Sequence, residues 1–159
     1  MNFIYSLSVV LFLLDSLISF DIKSQIIKSY AYFGILFGTP LILIWNFFII
    51  KTKSNRIIGT IIPTIIIFLI VIIGPMNILF TIGVWRTQKI LFENKNISSN
   101  TIEFQMQDIG ALGYNKRTVE VFSLTPFFII TKEVSKEIDK SVKWFKVDKE
   151  INELELKEP

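Results

Sequence analysis

The sequence predicts a membrane protein of the α+β class: three transmembrane helices followed by a small antiparallel β-rich extramembrane domain with a short helix. Three observations predict it. Apolar residues make up 51% of the 159 positions, too oily a composition for a solvated globule of this length. They concentrate in long runs before residue 86, and the charges lie almost entirely outside those runs, Asp15 being the exception. From Arg86 onward charged and polar residues alternate with apolar ones, the period of a strand with one buried face. The expected division is a transmembrane domain over 1–85 and an extramembrane domain over 86–159.

The first run, FIYSLSVVLFLLDSLISF over 3–20, is just long enough to cross a hydrocarbon slab of about 30 Å as a helix. A cleaved secretory signal is the alternative. Against it, MNFIYS carries no Lys or Arg, Asp15 interrupts the apolar stretch, and no small-residue cleavage site follows. The second run, over 30–50, opens on Tyr30 and Tyr32 and is closed by Lys51, side chains suited to the headgroup level. Gly34 and Gly38 stand four apart in it, a spacing that admits a closely packed second helix. A glycine-bearing helix that faces lipid and has no partner reads the same way. The third run extends from Ile57 to Trp85 and as one straight helix measures about 43 Å. Pro75 cannot bond to the carbonyl of Val71, so a kink is expected near 74–75. Dividing the run into two crossings leaves a second piece of only about 15 Å, so the count is three spans.

Orientation follows Lys and Arg near the span ends, and the two sides compete. Lys51, Lys53 and Arg56 form the densest cluster, whereas Lys23, Lys28, Arg86, Lys89 and Lys95 form a slightly larger set on the opposite side. The first span has no Lys or Arg on its N-terminal flank and two on its C-terminal flank, which places the N-terminus outside and the tail in the cytoplasm. The Ile, Lys and Asn bias points to an A+T-rich genome, and the expected location is a bacterial inner membrane.

In the tail, Ile102, Phe104 and Met106 alternate with Glu103, Gln105 and Gln107, a strand whose apolar side is the buried one. Lys89 to Glu93 is its expected partner across the polar turn NKNISSN. Gly110 and Gly113 supply backbone angles closed to other residues, and RTVEVFSL returns as a strand. EFQMQDIGALGYNKRT is therefore a strand, a glycine-bearing loop and the start of the returning strand. Pro126 fits only a strand edge, a bulge or a strand start, and PFFII after it reads as a strand buried on both faces or lying against the bilayer. Val134, Ile138 and Val142 recur every four residues, the pattern of a short amphipathic helix. WFKV reads as extended, and DKEINELELKEP as a frayed helix.

The chain has no Cys and no His, which removes thiol nucleophiles, disulfides, imidazole bases and the usual zinc ligands. Glu103, Asp108 and Glu120 are the only carboxylates the pattern brings near one another, and exposed strand positions give their acidities no push toward acid–base work. No nucleophile elbow, phosphate-binding glycine loop or metal-ligand spacing is present. The expectation is no enzyme, no cofactor and no metal. A net charge of +3 without a basic stripe argues against nucleic acid.

What remains is a membrane protein whose tail binds another protein, membrane-bound or soluble, or anionic lipid headgroups, with a second copy of the chain as a further partner. Asp108, Tyr114, Lys116 and Arg117 are the expected contact residues, converging at one loop tip, although a loop of this composition also serves simply as a turn. The alternative is a subunit of an oligomeric small-solute or ion transporter or channel using Asp15, Asn46 and Asn77. Asp15 is costly inside a span unless hydrated near its end, held by another helix, or used for ions or protons. Asn46 and Asn77 are expected to bond across helices, and Thr60 and Thr64 to bond back within their own.

Overall fold

The computed structural model describes residues 2–17, 19–134 and 143–156. These residues form four α-helices, one 3-10 turn and six strands, in two compact units: Met1–Leu13 with Ile26–Ile82, and Leu14–Gln25 with Gly83–Pro159.

The helices are α1 (Asn2–Leu17), α2 (Gln25–Ile49), α3 (Lys53–Ile73) and α4 (Pro75–Thr81). Two of them, α2 and α3, are long and apolar enough to cross a membrane, not three. The first run falls short because its helix has 16 residues, about 24 Å at 1.5 Å per residue. Beyond Leu17 the chain leaves the helix, and Phe20–Ile22 becomes a strand, β1. Asp15 enforces the change of direction, its carboxylate accepting the Ile22 N–H at 2.9 Å. The third run does not kink at Gly74-Pro75 but breaks there. Gly74 adopts φ 87° and caps α3 by donating its N–H to the Ile70 carbonyl at 2.9 Å. Pro75 then opens α4, where its missing N–H has no helical partner to lose. The last residue of that run, Trp85, begins a strand.

Within the helical unit, Tyr5, Val9 and Phe12 pack with Ala31, Tyr32, Ile35, Ile42, Ile66 and Ile78. The glycine pair of α2 receives α1. A Cβ on Gly34 would lie 2.4 Å from Ser8 Oγ, and one on Gly38 would lie 3.3 Å from Tyr5 Cδ2. The small face therefore has a partner, and it comes from the same chain.

The sheet unit is an antiparallel meander of β2 (Trp85–Asn94), β3 (Asn100–Asp108), β4 (Tyr114–Thr125) and β5 (Phe128–Glu133). The strand β1 extends it beside β5, and β6 (Trp144–Glu150) extends it beside β2, giving the order β1-β5-β4-β3-β2-β6. The expected turn at NKNISSN and the loop at 109–113 fall between strands, whereas Pro126, expected at a strand edge, a bulge or a strand start, lies in the turn between β4 and β5. In β5 burial alternates, Ile129 inside and Ile130 outside, so that strand is not buried on both faces. Over its described residues, 148–156, the C-terminal stretch is not a frayed helix: β6 reaches Glu150, and the Ile151 and Asn152 N–H groups both donate to the Gln88 carbonyl. The amphipathic helix expected from Val134, Ile138 and Val142 falls on 135–142, outside the described residues.

The sheet is curled so that residues flanking its two edge strands meet. Lys23, just past β1, lies 3.6 Å from the Glu153 carboxylate beyond β6, and the N–H of Val84, just before the penultimate strand β2, donates to Gln25 Oε1 at 3.2 Å. Curling turns one face inward. That face carries the apolar cluster Val119, Val121 and Ile129, and with it Glu103, Gln105 and Gln107, exposed by only 7%, 0% and 3%. The expectation that the polar side of β3 faces water is thus reversed. Alternation identifies two faces but not which becomes concave, and here both are covered: Ile102 and Met106, on the opposite face, are buried too.

Candidate functional site

The β3–β4 hairpin forms as the sequence implies, with Asp108 opposite Tyr114 in register. Its loop is a 3-10 turn over Gly110–Leu112 closed by Ile109 N–H to the Gly113 carbonyl and Gly113 N–H to the Gly110 carbonyl, each at 3.0 Å. Gly110 and Gly113 adopt φ of 68° and 94°, angles that cost a side-chain-bearing residue more than they cost glycine. Asp108 turns onto its own loop, accepting the Gly110 N–H at 2.7 Å. Leu112, at the tip, is 67% exposed.

Of the four expected contact residues, the fold brings Asp108 and Tyr114 together at the base of the loop and leaves Lys116 exposed two residues further along β4. Arg117, its neighbour in a strand, points to the opposite, concave face. There its guanidinium donates to Gln105 Oε1 at 3.0 and 2.7 Å, pairs with Asp21 Oδ2 at 2.5 Å and stacks over the Trp85 ring at 4.1 Å from its centroid.

Those contacts belong to a polar chain crossing five strands. Asp21 of β1 also accepts from Thr131 of β5 at 2.9 Å, while Gln105 donates to Glu103 at 2.8 Å. Glu103 further accepts from Thr87 at 2.7 Å and Thr101 at 2.9 Å. Asp21, Glu103 and Arg117 each have an oppositely charged or hydrogen-bonding neighbour, the condition under which buried polar groups are tolerated. Glu103 is therefore not the exposed carboxylate that its strand position implied, and the three acidic residues separate. Glu120 lies on the convex face bonded to Asn100 at 2.8 Å, and Asp108 lies at the hairpin tip. Among the described residues no group of three or more Asp and Glu side chains is arranged to hold a metal ion.

Beside the hairpin tip is a cleft of about 370 Å³ lined by Gln25, Gly83, Val84, Arg86, Asp108, Gly110 and Leu154. Gly83 is what lets the hairpin end approach: a Cβ there would lie 2.5 Å from the Asp108 carbonyl oxygen. Gln107 Nε2 reinforces the contact by donating to the Gly83 carbonyl at 2.7 Å. Arg86 is half-buried and, among the described residues, makes no ion pair or side-chain hydrogen bond.

On the rim of the sheet, Lys89 and Asp148 form an ion pair at 2.9 Å. The hydrogen bond between them, and then the charge, holds Lys89 above its ordinary range. The same hydrogen bond holds Asp148 below its own.

Asn46, Asn77, Thr60 and Asp15 have local partners, whereas Thr64, expected to bond back within its helix, makes no side-chain hydrogen bond among the described residues. Asn46 is buried and donates to the Gly59 carbonyl at 2.6 Å, joining α2 to α3. Asn77 instead donates to the Ile73 carbonyl at 2.9 Å, one turn back across the Gly74 break. Thr60 bonds back to Arg56 at 3.0 Å, as its position in a helix implies. Asp15 serves the turn into β1.

Sequence reasoning passed over Asp21 and Gly83, and read Trp85 and Arg86 as an interfacial pair at the end of the third run rather than as site residues. Asp21 sits in what reads as an interhelical connection and Trp85 in what reads as a span end, so neither carried a strand signal. No family model matches this chain, and neither a curated protein nor a solved structure matches it.

Proposed function

We propose that this chain is a non-enzymatic integral membrane protein, held by α2 and α3, whose curled sheet binds a protein partner or anionic lipid headgroups. The observation that carries the reading is the outward surface of those two helices. Phe37, Phe48, Phe68 and Val71 are 62%, 77%, 66% and 69% exposed, within a helix pair that exposes large apolar side chains along its whole length. Apolar surface this continuous marks contact with lipid or with another apolar surface. A binding role for the sheet is supported by Phe122, Leu124, Phe127 and Ile130, which are large, apolar and exposed on β4, β5 and the turn between them. The larger set of Lys and Arg flanks the spans on the side of this unit, which favours a cytoplasmic sheet, and a bacterial inner membrane is the location this reading takes. The transporter reading has less support, because Asn46 and Asn77 already donate to backbone carbonyls.

Carbonate washing of membranes from cells expressing the full chain tests the reading. Retention in the pellet is expected; release into the wash, or a monodisperse chain in detergent-free buffer, rejects it. Protease accessibility in intact cells and inverted vesicles then fixes the side of the sheet unit.

A further inference from the structure

We propose that the cleft beside the β3–β4 hairpin is a binding site for the headgroup of an anionic phospholipid, with Arg86 as the cation that meets the phosphate and Leu112 as the side chain that enters the interface. The inference rests on the membrane reading above and deepens it by naming the ligand and the site.

Chain connectivity places the cleft. The sheet unit passes to the apolar helices between Gln25 and Ile26 and receives the chain back between Ile82 and Gly83. Gln25 and Gly83 both line this cleft. They are also tied together, because Val84, next to Gly83, donates its N–H to Gln25 at 3.2 Å. Gln25 is the first residue of α2, a span in the reading above, which puts the part of the cleft that it lines at headgroup depth. Any side chain at this depth is selected for one task, meeting headgroups and the first carbons of the acyl chains.

The composition around the cleft matches that task. Arg86 is a half-buried guanidinium with no ion pair or side-chain hydrogen bond among the described residues, and its forked donors suit a phosphate. Lys116, on β4 and two strands from Arg86 across Met106, is a second exposed cation, likewise without an ion pair among the described residues. Asp108, the one carboxylate among the described residues that line the cleft, already accepts the Gly110 N–H, which turns it toward its own loop. Leu112, 67% exposed, and Tyr114, 42% exposed, supply an apolar wedge and an amphipathic ring, the pair that interfacial segments use. Such a tip makes little sense in bulk water and good sense a few ångströms inside a headgroup layer. The 3-10 turn presents the tip through two backbone hydrogen bonds between 109 and 113 and the Asp108 bond to the Gly110 N–H.

The chain has no cysteine, so single cysteines can report position in the full-length protein. Leu112→Cys at the tip and Ser98→Cys, in the turn at the other end of β3, are each labelled with a polarity-sensitive fluorophore. The protein is then placed in nanodiscs of phosphatidylcholine alone or with phosphatidylglycerol, each containing shallow spin-labelled lipid. Quenching at position 112 that strengthens with phosphatidylglycerol, and no quenching at 98, is the expected result. Arg86→Gln should weaken binding of short-chain phosphatidylglycerol in detergent about tenfold, the cost of one charge-assisted phosphate contact, and leave short-chain phosphatidylcholine unaffected. A chain that enters nanodiscs but whose tip stays unquenched overturns this inference alone and leaves the hairpin free for a protein. Equal quenching in both lipids, together with an unaffected Arg86→Gln variant, overturns the headgroup site. Failure to enter nanodiscs at all overturns the membrane reading itself, a distinct outcome.

Discussion

In the helical unit the buried polar atoms are few, and each finds its partner close by: Tyr5 donates to Thr39 at 3.1 Å and Asn46 to the Gly59 carbonyl at 2.6 Å. In the sheet unit they form a connected chain, from Thr87 through Glu103, Gln105 and Arg117 to Asp21 and Thr131. The difference follows from backbone geometry. A helix satisfies its own N–H and C=O groups, so its contacts with neighbours depend on how closely small side chains let them approach. A curled sheet presents a narrow inner face from several strands, where any polar side chain must be answered by another strand's polar side chain. The helical unit is therefore sensitive to added volume, and the sheet unit to removed charge.

The sharpest way to break that contrast is to delete the guanidinium at the centre of the network. Arg117→Met keeps length and apolar volume but leaves Asp21 and Gln105 without their main donor, and Asp21 is only 14% exposed at its side chain. Breaking a buried pair from one side costs about 3 kcal/mol or more. Hydrogen exchange of the β3 and β4 amides in the detergent-solubilised chain should accelerate by about two orders of magnitude, with α2 and α3 unchanged. Adding Asp21→Asn should recover part of the loss. A single variant that exchanges like the parent would mean that the network is decorative. Because Arg117 is structural here, a Lys116/Arg117 charge reversal tests folding as much as binding; Lys116 and Arg86 are the cleaner probes of contact.

A smaller effect sharpens the other side of the comparison. Gly34→Ala puts a methyl group within 2.4 Å of Ser8 Oγ and 2.8 Å of Ser8 Cβ, so α1 and α2 must move apart. Overpacking of this kind costs about 1–3 kcal/mol. A lowered unfolding temperature in detergent, restored by Ser8→Gly in the same chain, is the expected pattern. If Ser8→Gly gives no rescue, α1 is not the helix that occupies this face.

Much of the architecture was legible in residue order, and the misreadings share a cause. The hairpin was readable because glycine spacing and two-residue alternation are local signals, as Gly110, Gly113 and the 100–108 strand show. Burial of Glu103 was not, since the sense of a sheet's curl depends on contacts between residues such as Lys23 and Glu153, 130 positions apart. The same long-range term overrode hydropathy at Phe20–Ile22, which reads as the end of a span until β5 offers it backbone partners. Likewise Arg117 looks like a surface cation until Asp21 and Trp85 arrive from distant segments. The candidate site was half legible: Asp108, Tyr114 and Lys116 lie at or near the tip, whereas Arg86 and Gly83 join it only through the fold.

The weakest interaction on which the two-unit contrast can be tested is the exposed pair of Lys89 and Asp148. Asp148 sits in β6 at φ 57°, at a bulge where two residues of that strand face one of β2. Asn adopts this left-handed geometry as readily as Asp, so Asp148→Asn removes the charge and leaves the backbone in place. The pair holds the Asp148 carboxyl below its usual value of 3.8, so its contribution is fully present above that value and is lost as pH falls through the lower folded one. For Lys89, held above 10.5, the contribution is present below that value and is lost as pH rises through the higher folded one. Between those limits the parent should be slightly more stable than Asp148→Asn, with the margin closing at strongly acidic pH. High salt should shrink it as well, because solvent reaches both groups. Exchange of the β6 amides against pH reads the margin directly. A margin that persists under strong acid would assign the role of Asp148 to its left-handed backbone rather than to its charge.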